Sequence, residues 1–269
     1  MLIDSPYLVT PGKKFKLADR PTDDTGPFKN KQDALGPTGE NLEKLDKLQE
    51  VLYAQEKHAV LILFQAMDAG GKDGAIEHVF SGINPQGCSV TSFKAPGTLE
   101  RAHDFLWRHH LAAPAKGMIG IHNRSHYEAV LVERVKDLVP KDVWSKRYDH
   151  VNGFEKELSD EGTLVLKFFL HISKEEQRER LQARIDNPDK HWKFDPRDLE
   201  ERKRWDDYQA AYEDAVKKCS TEWAPWYVVP ADRKWFRNWV LSDTIVRSLE
   251  KLELDYPPPA KGLEKIKVV

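Results

Sequence analysis

Residues 60–74 read VLILFQAMDAGGKDG, and the order of residue types in this stretch decides the fold. Val60 to Phe64 is an unbroken, partly β-branched apolar run, the pattern of a strand buried on both faces. It runs into a loop of small residues, Ala66-Met67-Asp68-Ala69-Gly70-Gly71-Lys72, and a helix is predicted from about Lys72. Strand, glycine loop, lysine and helix, in that order, make a phosphate-binding P-loop. Backbone N–H groups from Ala69, Gly70, Gly71, Asp73 and Gly74, with the positive end of the helix, would face an anion, and Lys72 adds a point charge. Two positions depart from the common pattern. Ala66 stands where the first glycine usually is, and Asp73 where a Ser or Thr usually follows the lysine.

Both departures bear on the chemistry. A hydroxyl after the lysine ordinarily ligates the magnesium of a bound nucleotide. Here two carboxylates, Asp68 and Asp73, lie in or beside the anion cradle instead. A carboxylate facing phosphate is repelled unless a cation lies between them or it takes up a proton. That favours a chemical role for Asp68, which is central in the loop, over a simple turn cap. Asp73 fits the plainer role of an acid stabilising the helix N-terminus.

The rest of the chain alternates strands with helices, which predicts a parallel sheet covered on both faces. CSVTSF (88–93), GMIGIHN (117–123), TLVLKFFLHIS (163–173) and WYVVP (226–230) read as four further strands. Leucines at helical spacing mark a helix over 40–57. Pro96-Gly97-Thr98 opens another over about 98–111, and a last helix is expected to run to about Leu252. Residues 1–40 read as an extended arm, 41–255 as one domain, and 256–269 as a surface tail. A long charged helical section, about 174–221, is broken at Asn187-Pro188 and near Asp195-Pro196. On this fold it occupies the place of a mobile lid.

The third strand ends in Asn123-Arg124-Ser125. An Asp at such a strand end usually helps to hold magnesium, and Asn123 is a weaker, neutral ligand. Arg124, beside a helix N-terminus, is placed for a phosphate; a salt bridge is the plainer alternative. Ser125-x-x-Glu128 matches a capping box, although a carboxylate at Glu128 could also face the nucleotide pocket. His122 and His126 are four apart, but across a strand-to-helix boundary, which disfavours a zinc pair. In the lid, Arg184, Lys190 and Lys193 form the most basic cluster. Such residues are usually just solvated, but their place between two breaks favours an anion clamp. Trp205, Tyr208 and Tyr212 form a helix stripe expected to pack in the core.

Composition narrows the classes. With 42 Lys and Arg against 44 Asp and Glu the net charge is −2, so any polyanion must be met by a local basic surface. Two cysteines allow no disulfide framework, and no apolar run approaches the length of a membrane span. A soluble cytoplasmic protein, with no nucleic-acid and no membrane partner, is the expectation.

QAMDAGGKDG, NRSHYE and RLQARIDNPDKHWKFDPRDLEERKRWDDYQAAYEDA together resemble the three motifs of the polyphosphate kinase 2 family, in the same order. The likeness covers about 40–250. HNRSHYE, in place of the commoner Asp-Arg-Ser-Trp-Tyr form, is similar to the subgroup acting on both nucleoside mono- and diphosphates. The resemblance implies an α/β fold of three layers, α/β/α, a thymidylate-kinase-like P-loop kinase with a five-stranded parallel sheet and a helical lid. It implies transfer of the terminal phosphoryl group of inorganic polyphosphate to AMP or ADP, with Mg2+ or Mn2+, by a homo-oligomer, dimer or tetramer. By motif position Asp68 matches the family's catalytic acid and a metal holder, Lys72 and Arg124 its phosphate contacts, and Arg184 a lid arginine. Asn123 departs from the family's more common Asp. The competing readings are an ATP-dependent nucleotide or nucleoside kinase on the same fold and a non-catalytic nucleotide-binding protein.

Overall fold

A computed structural model describes residues 3–268, with the Glu264 side chain left aside. Five parallel strands, β1 (Ala59–Ala66), β2 (Cys88–Ser92), β3 (Ile119–Asn123), β4 (Thr163–His171) and β5 (Trp226–Pro230), form one sheet in the order β2-β3-β1-β4-β5. Helices cover both faces: α1 (Lys31–Gln55), α2 (Lys72–Phe80), α3 (Thr98–Arg101), α4 (Trp107–Leu111), α5 (Val132–Val135), α6 (Lys141–Trp144), α7 (Arg147–Asp160), α8 (Lys174–Asp186), α9 (Arg197–Lys203), α10 (Trp205–Cys219) and α11 (Lys234–Glu250). The alternating pattern predicted this parallel sheet with helices on both faces, and the three-layer α/β/α arrangement is the one that the family resemblance implies.

The sheet is central because its inner strands, β3, β1 and β4, are buried on both faces, whereas the edge strand β2 is largely exposed. All eight residues of β1 are buried, and Val60 through Phe64 have no measurable exposure. Burying each such side chain contributes roughly 1.5–3 kcal/mol before entropy is counted. β1 pairs with β3 in the register Phe64↔Asn123 and with β4 in the register Ala66↔Leu170. The loops after β1 and β3 therefore leave the same edge of the sheet side by side, where α/β folds build their sites.

Three boundaries differ from expectation. The arm ends at 30, not 40, because Asn30 caps α1 by accepting from Gln32 and Asp33 N–H. Pro37 lies inside α1; its missing N–H costs little there, because the carbonyl it leaves unpaired belongs to exposed Asp33. Rather than standing free, the arm pairs Leu8 antiparallel with Tyr227 and buries Tyr7, Val9, Phe15 and Leu17, so it covers the β5 edge. Residues 1, 2 and 269 of the arm and tail lie outside the described residues. The helix expected over 98–111 is two short helices, because Asp104 turns its side chain back to accept from Leu106 and Trp107 N–H. The charged section between β4 and β5 breaks at 187–188 and 195–196, and again at Arg204, into α8, a 3-10 turn (Pro188–Lys193), α9 and α10. No helix among the described residues is long and apolar enough to cross a membrane.

Candidate functional site

The loop after β1 takes its shape from two left-handed residues, Ala69 (φ 59°) and Gly71 (φ 93°). Alternation of left- and right-handed backbone curls successive N–H groups into a concave nest suited to an anion. A side chain at Gly71 would collide with Arg237 Nη1, and one at Gly70 with Ala66 Cβ and Met67 O. The loop closes with Gly70 N–H donating to Met67 O (2.9 Å). Gly71 then caps α2, and the first N–H groups of that helix, from Lys72, Asp73 and Gly74, have no carbonyl of their own helix to bond. Lys72 Nζ folds back to Ala66 O at 3.2 Å. Burial lowers its pKa and nearby Arg124 adds to this, against the attraction of Asp68, Glu128 and Asp73.

The loop after β3 faces it. Arg124 is also left-handed (φ 63°), a conformation that costs a bulky side chain energy. Its N–H donates to Phe64 O (3.0 Å), and its guanidinium donates to Asp68 Oδ1 at 3.2 Å. Burial works against the charge on Arg124, but the Glu128 and Asp68 carboxylates outweigh it and raise the guanidinium above its ordinary value. Asn123 Nδ2 donates to Asp73 Oδ1 at 2.6 Å. Asp73 therefore sits in the first turn of α2, as expected, and also ties the two loops together.

Glu128 departs from the capping-box reading. Ser125 Oγ accepts from Tyr127 N–H and from Gln65 Nε2, and the following turn is a 3-10 turn (His126–Ala129). The Glu128 carboxylate points into the site, where burial raises its pKa against Arg124, Lys72 and Gln65. The intervening residues anchor the loop from below. Glu155 of α7 receives bonds from His126 Nε2 (3.0 Å), Tyr127 Oη (2.9 Å) and Lys167 Nζ (2.5 Å), all without measurable side-chain exposure or nearly so. Lys167 holds the Glu155 carboxylate low against its burial. A buried ion pair satisfied on all sides rigidifies the loop that carries Arg124. His122 and His126 do not act as a pair: His122 Nε2 donates to Ala112 O, and His126 is bound to Glu155.

Elements after β4 complete the site. Gln177 and Arg180 of α8 donate to Asp68 O (2.9 Å) and Ala69 O (3.2 Å), and Arg237 of α11 donates to Gly71 O (3.0 Å). Arg237 is 2% exposed, and burial together with Arg180 pulls it down to about 10. Lys234, beside them, is likewise lowered by burial and by Arg180, Arg237 and Lys190. This flank of the loop is therefore predominantly cationic, with Glu176 as the near acid. On the other flank, Asp198 of α9 is raised by burial and by Asp68. Tyr208 and Tyr212 of α10 are buried, as the stripe predicted, but their hydroxyls also feel Asp68 and Glu128.

Of the basic cluster, Arg184 donates to Lys193 O (3.0 Å) and Asp198 Oδ2 (3.3 Å), so it staples the excursion to itself rather than reaching the loop. Lys190 approaches the Lys234 group, and Lys193 lies over the exposed Trp192 ring at 4.8 Å. Gln177, Arg237 and Asp198 were not singled out from the sequence, and Arg180, a basic residue of the lid section, lay outside the cluster read as the anion clamp. The available signal was a polar or charged residue inside an apolar stripe: Gln177 precedes buried Leu181 by one turn, and Arg237 lies between buried Phe236 and Val240.

The family model for polyphosphate kinase 2 matches residues 29–257. The chain is 55% identical over 261 residues to an AMP/ADP-polyphosphate phosphotransferase of Meiothermus ruber, covering 97% of this chain and 98% of the relative. It is 45% identical to an ADP-polyphosphate phosphotransferase of Rhodopseudomonas palustris, covering 95% and 96%. A crystal structure of polyphosphate kinase 2 from Arthrobacter aurescens superimposes with a TM-score of 0.93 at 40% identity, covering 96% of this chain and 93% of that one. With a match across the P-loop, the Arg124 loop and the α8–α10 excursion alike, this chain belongs to the polyphosphate kinase 2 family.

Proposed function

We propose that the protein transfers the terminal phosphoryl group of inorganic polyphosphate to AMP and to ADP, forming ADP and ATP. Membership of the family supports the reaction class, and the Meiothermus ruber relative supports the acceptor pair. The observation that carries the reading is the charge arrangement around the P-loop. Its flank toward α8 and α11 holds Arg180, Arg237 and Lys234 with few acids, which suits a polyanionic donor. The flank toward β3 mixes Arg124 with Asp68 and Glu128, which suits an acceptor phosphate accompanied by a cation.

Phosphoryl transfer asks the protein mainly for alignment and charge neutralisation. Lys72, Arg124 and the loop N–H groups bind and orient the moving phosphoryl group, and Tyr208 and Tyr212 help to exclude water. The α8–α10 excursion acts as the lid, with Arg184 fixing its shape. Asp68 is the residue to hold Mg2+ or Mn2+. Among the described residues no group of three or more His, Cys, Asp or Glu could hold a metal ion. The site therefore fits a hard cation bound by one carboxylate, waters and substrate phosphates rather than an all-protein cage. Such a cation supplies neutralisation of phosphate charge. Burial and the nearby Asp68 charge both raise Asp198, and a cation held by Asp68 would relieve the repulsion between the two carboxylates.

The donor distinguishes this function from an ATP-dependent kinase. Incubation with ADP and polyphosphate is expected to yield ATP, while a nucleoside with ATP is expected to yield no monophosphate. The reverse pattern overturns the proposal.

A further inference from the structure

The carbonyls of Ala66, Met67, Asp68, Ala69 and Gly71 all accept hydrogen bonds, the first two from Lys72 and Gly70 of the loop itself and the other three from α8 and α11. Four of these five donors are a backbone N–H (Gly70) or cationic side chains (Lys72, Arg180, Arg237). The fifth, at Asp68, is a neutral amide with 1% exposure. Gln177 Nε2 donates to Asp68 O at 2.9 Å, and its Oε1 accepts from Arg202 Nη1 of α9 at 3.1 Å. The amide orientation is chemically fixed: a guanidinium can only donate and a carbonyl can only accept. The same Arg202 nitrogen donates to Lys174 O at 2.5 Å, seating α9 on the first turn of α8.

Asp198 lies four residues before Arg202, on the same face of α9. It pairs with Arg184 and feels the charge of Asp68. The seat of α9 is thus connected to the backbone of Asp68 by one buried side chain. It is connected to the carboxylate of Asp68 through space.

We propose that Gln177 is a positioning residue that couples the seating of α9 to the geometry of Asp68. When α9 is seated, Arg202 holds the Gln177 oxygen, and the amide hydrogen holds the Asp68 carbonyl outward and its side chain toward Arg124. When α9 lifts, the amide loses its anchor and the loop relaxes. The kinetic consequence rests on the polyphosphate-transfer reading above; the structural consequence does not.

Two measurements test it. Hydrogen exchange on the substrate-free protein compares wild type with Gln177→Met, Arg202→Met and, as a control on the solvent face of α8, Arg178→Gln. Amides of 68–72 are expected to exchange about tenfold faster in both Gln177→Met and Arg202→Met, the factor carried by one buried hydrogen bond. They are expected to be unchanged in Arg178→Gln. Loosening confined to 197–203 in Arg202→Met overturns the coupling. Because Arg202 is only partly buried, this variant carries the test even if Gln177→Met folds poorly.

In turnover with polyphosphate, each single variant is expected to lose about tenfold in kcat with both KM values within about twofold. The double variant is expected to lose no more than either single one, and Arg202→Lys to recover most of the rate. Losses that multiply to about a hundredfold, or an unchanged kcat, refute the positioning role. A wild type without polyphosphate-dependent turnover refutes the functional reading instead, while the exchange data still decide the coupling.

Discussion

Asp68→Asn separates chemistry from architecture at the centre of the site. The substitution keeps the side-chain volume, leaves an oxygen for the Arg124 contact, and does not touch the Asp68 carbonyl held by Gln177. Its structural cost is small. The Asp68–Arg124 pair lies at 3.2 Å with side chains 27% and 40% exposed, so its contribution is under about 1 kcal/mol. Relief of repulsion against Glu128 and Asp198 acts in the opposite direction. The expected change in Tm is at most about 2–4 °C. Catalysis should respond very differently. A carboxylate that holds the cation beside the transferring phosphoryl group acts where charge is concentrated, and its loss should lower kcat on the order of a thousandfold, about 4 kcal/mol. ADP and ATP formation from AMP, polyphosphate and magnesium, followed by chromatography at saturating substrates, measures it. If Asp68→Asn retains more than about a tenth of wild-type turnover, about 1.4 kcal/mol, Asp68 neither holds the metal nor takes part in the chemistry.

Five further substitutions have defined outcomes. Arg184→Ala frees Asp198 and the 3-10 turn, so kcat/KM for polyphosphate should fall by at least about tenfold, with nucleotide binding in the absence of polyphosphate nearly unchanged in calorimetry; Lys190→Ala and Lys193→Ala should act more mildly and mostly at low salt. Gly71→Ala forces a Cβ onto Arg237 at φ 93° and should abolish turnover and lower Tm, measured together by activity and thermal melts. Burial pulls His122 and His171 from 6.5 to about 4, so the unfolded chain binds their protons first as pH falls. Stability should therefore drop between pH 6.5 and 4, each histidine accounting for on the order of 3 kcal/mol. His122→Asn should flatten the Tm–pH curve in that window, and an unaltered slope would show that His122 does not titrate this way.

β1 was legible because its apolar run is unbroken, and the other strands because short β-branched or aromatic runs stand between turn and helix signals. All five fall within a few residues of the positions read from the sequence. The P-loop and the Arg124 loop were legible because glycine, lysine and arginine at those spacings have few other uses. What escaped was long-range and polar. Nothing local to α8 or α11 announces that Gln177, Arg180 and Arg237 will meet carbonyls of a loop more than a hundred residues earlier. Glu128 was ambiguous for a similar reason: a capping box and a site carboxylate share one sequence, and the 3-10 turn decided between them. Pro37 and the glycines at 36 and 39 hid the start of α1, because turn-forming residues on a solvent-exposed helix face are tolerated.

The most direct test is phosphorus NMR of the protein with AMP, polyphosphate and magnesium, and no ATP. The end-group signal of polyphosphate should be consumed as ADP appears first and ATP follows. No inorganic phosphate should be released in step, the result expected of a site that closes over the transferring group. Absence of nucleotide products, with ATP accepted as donor in the parallel sample, would contradict polyphosphate-dependent transfer at this P-loop.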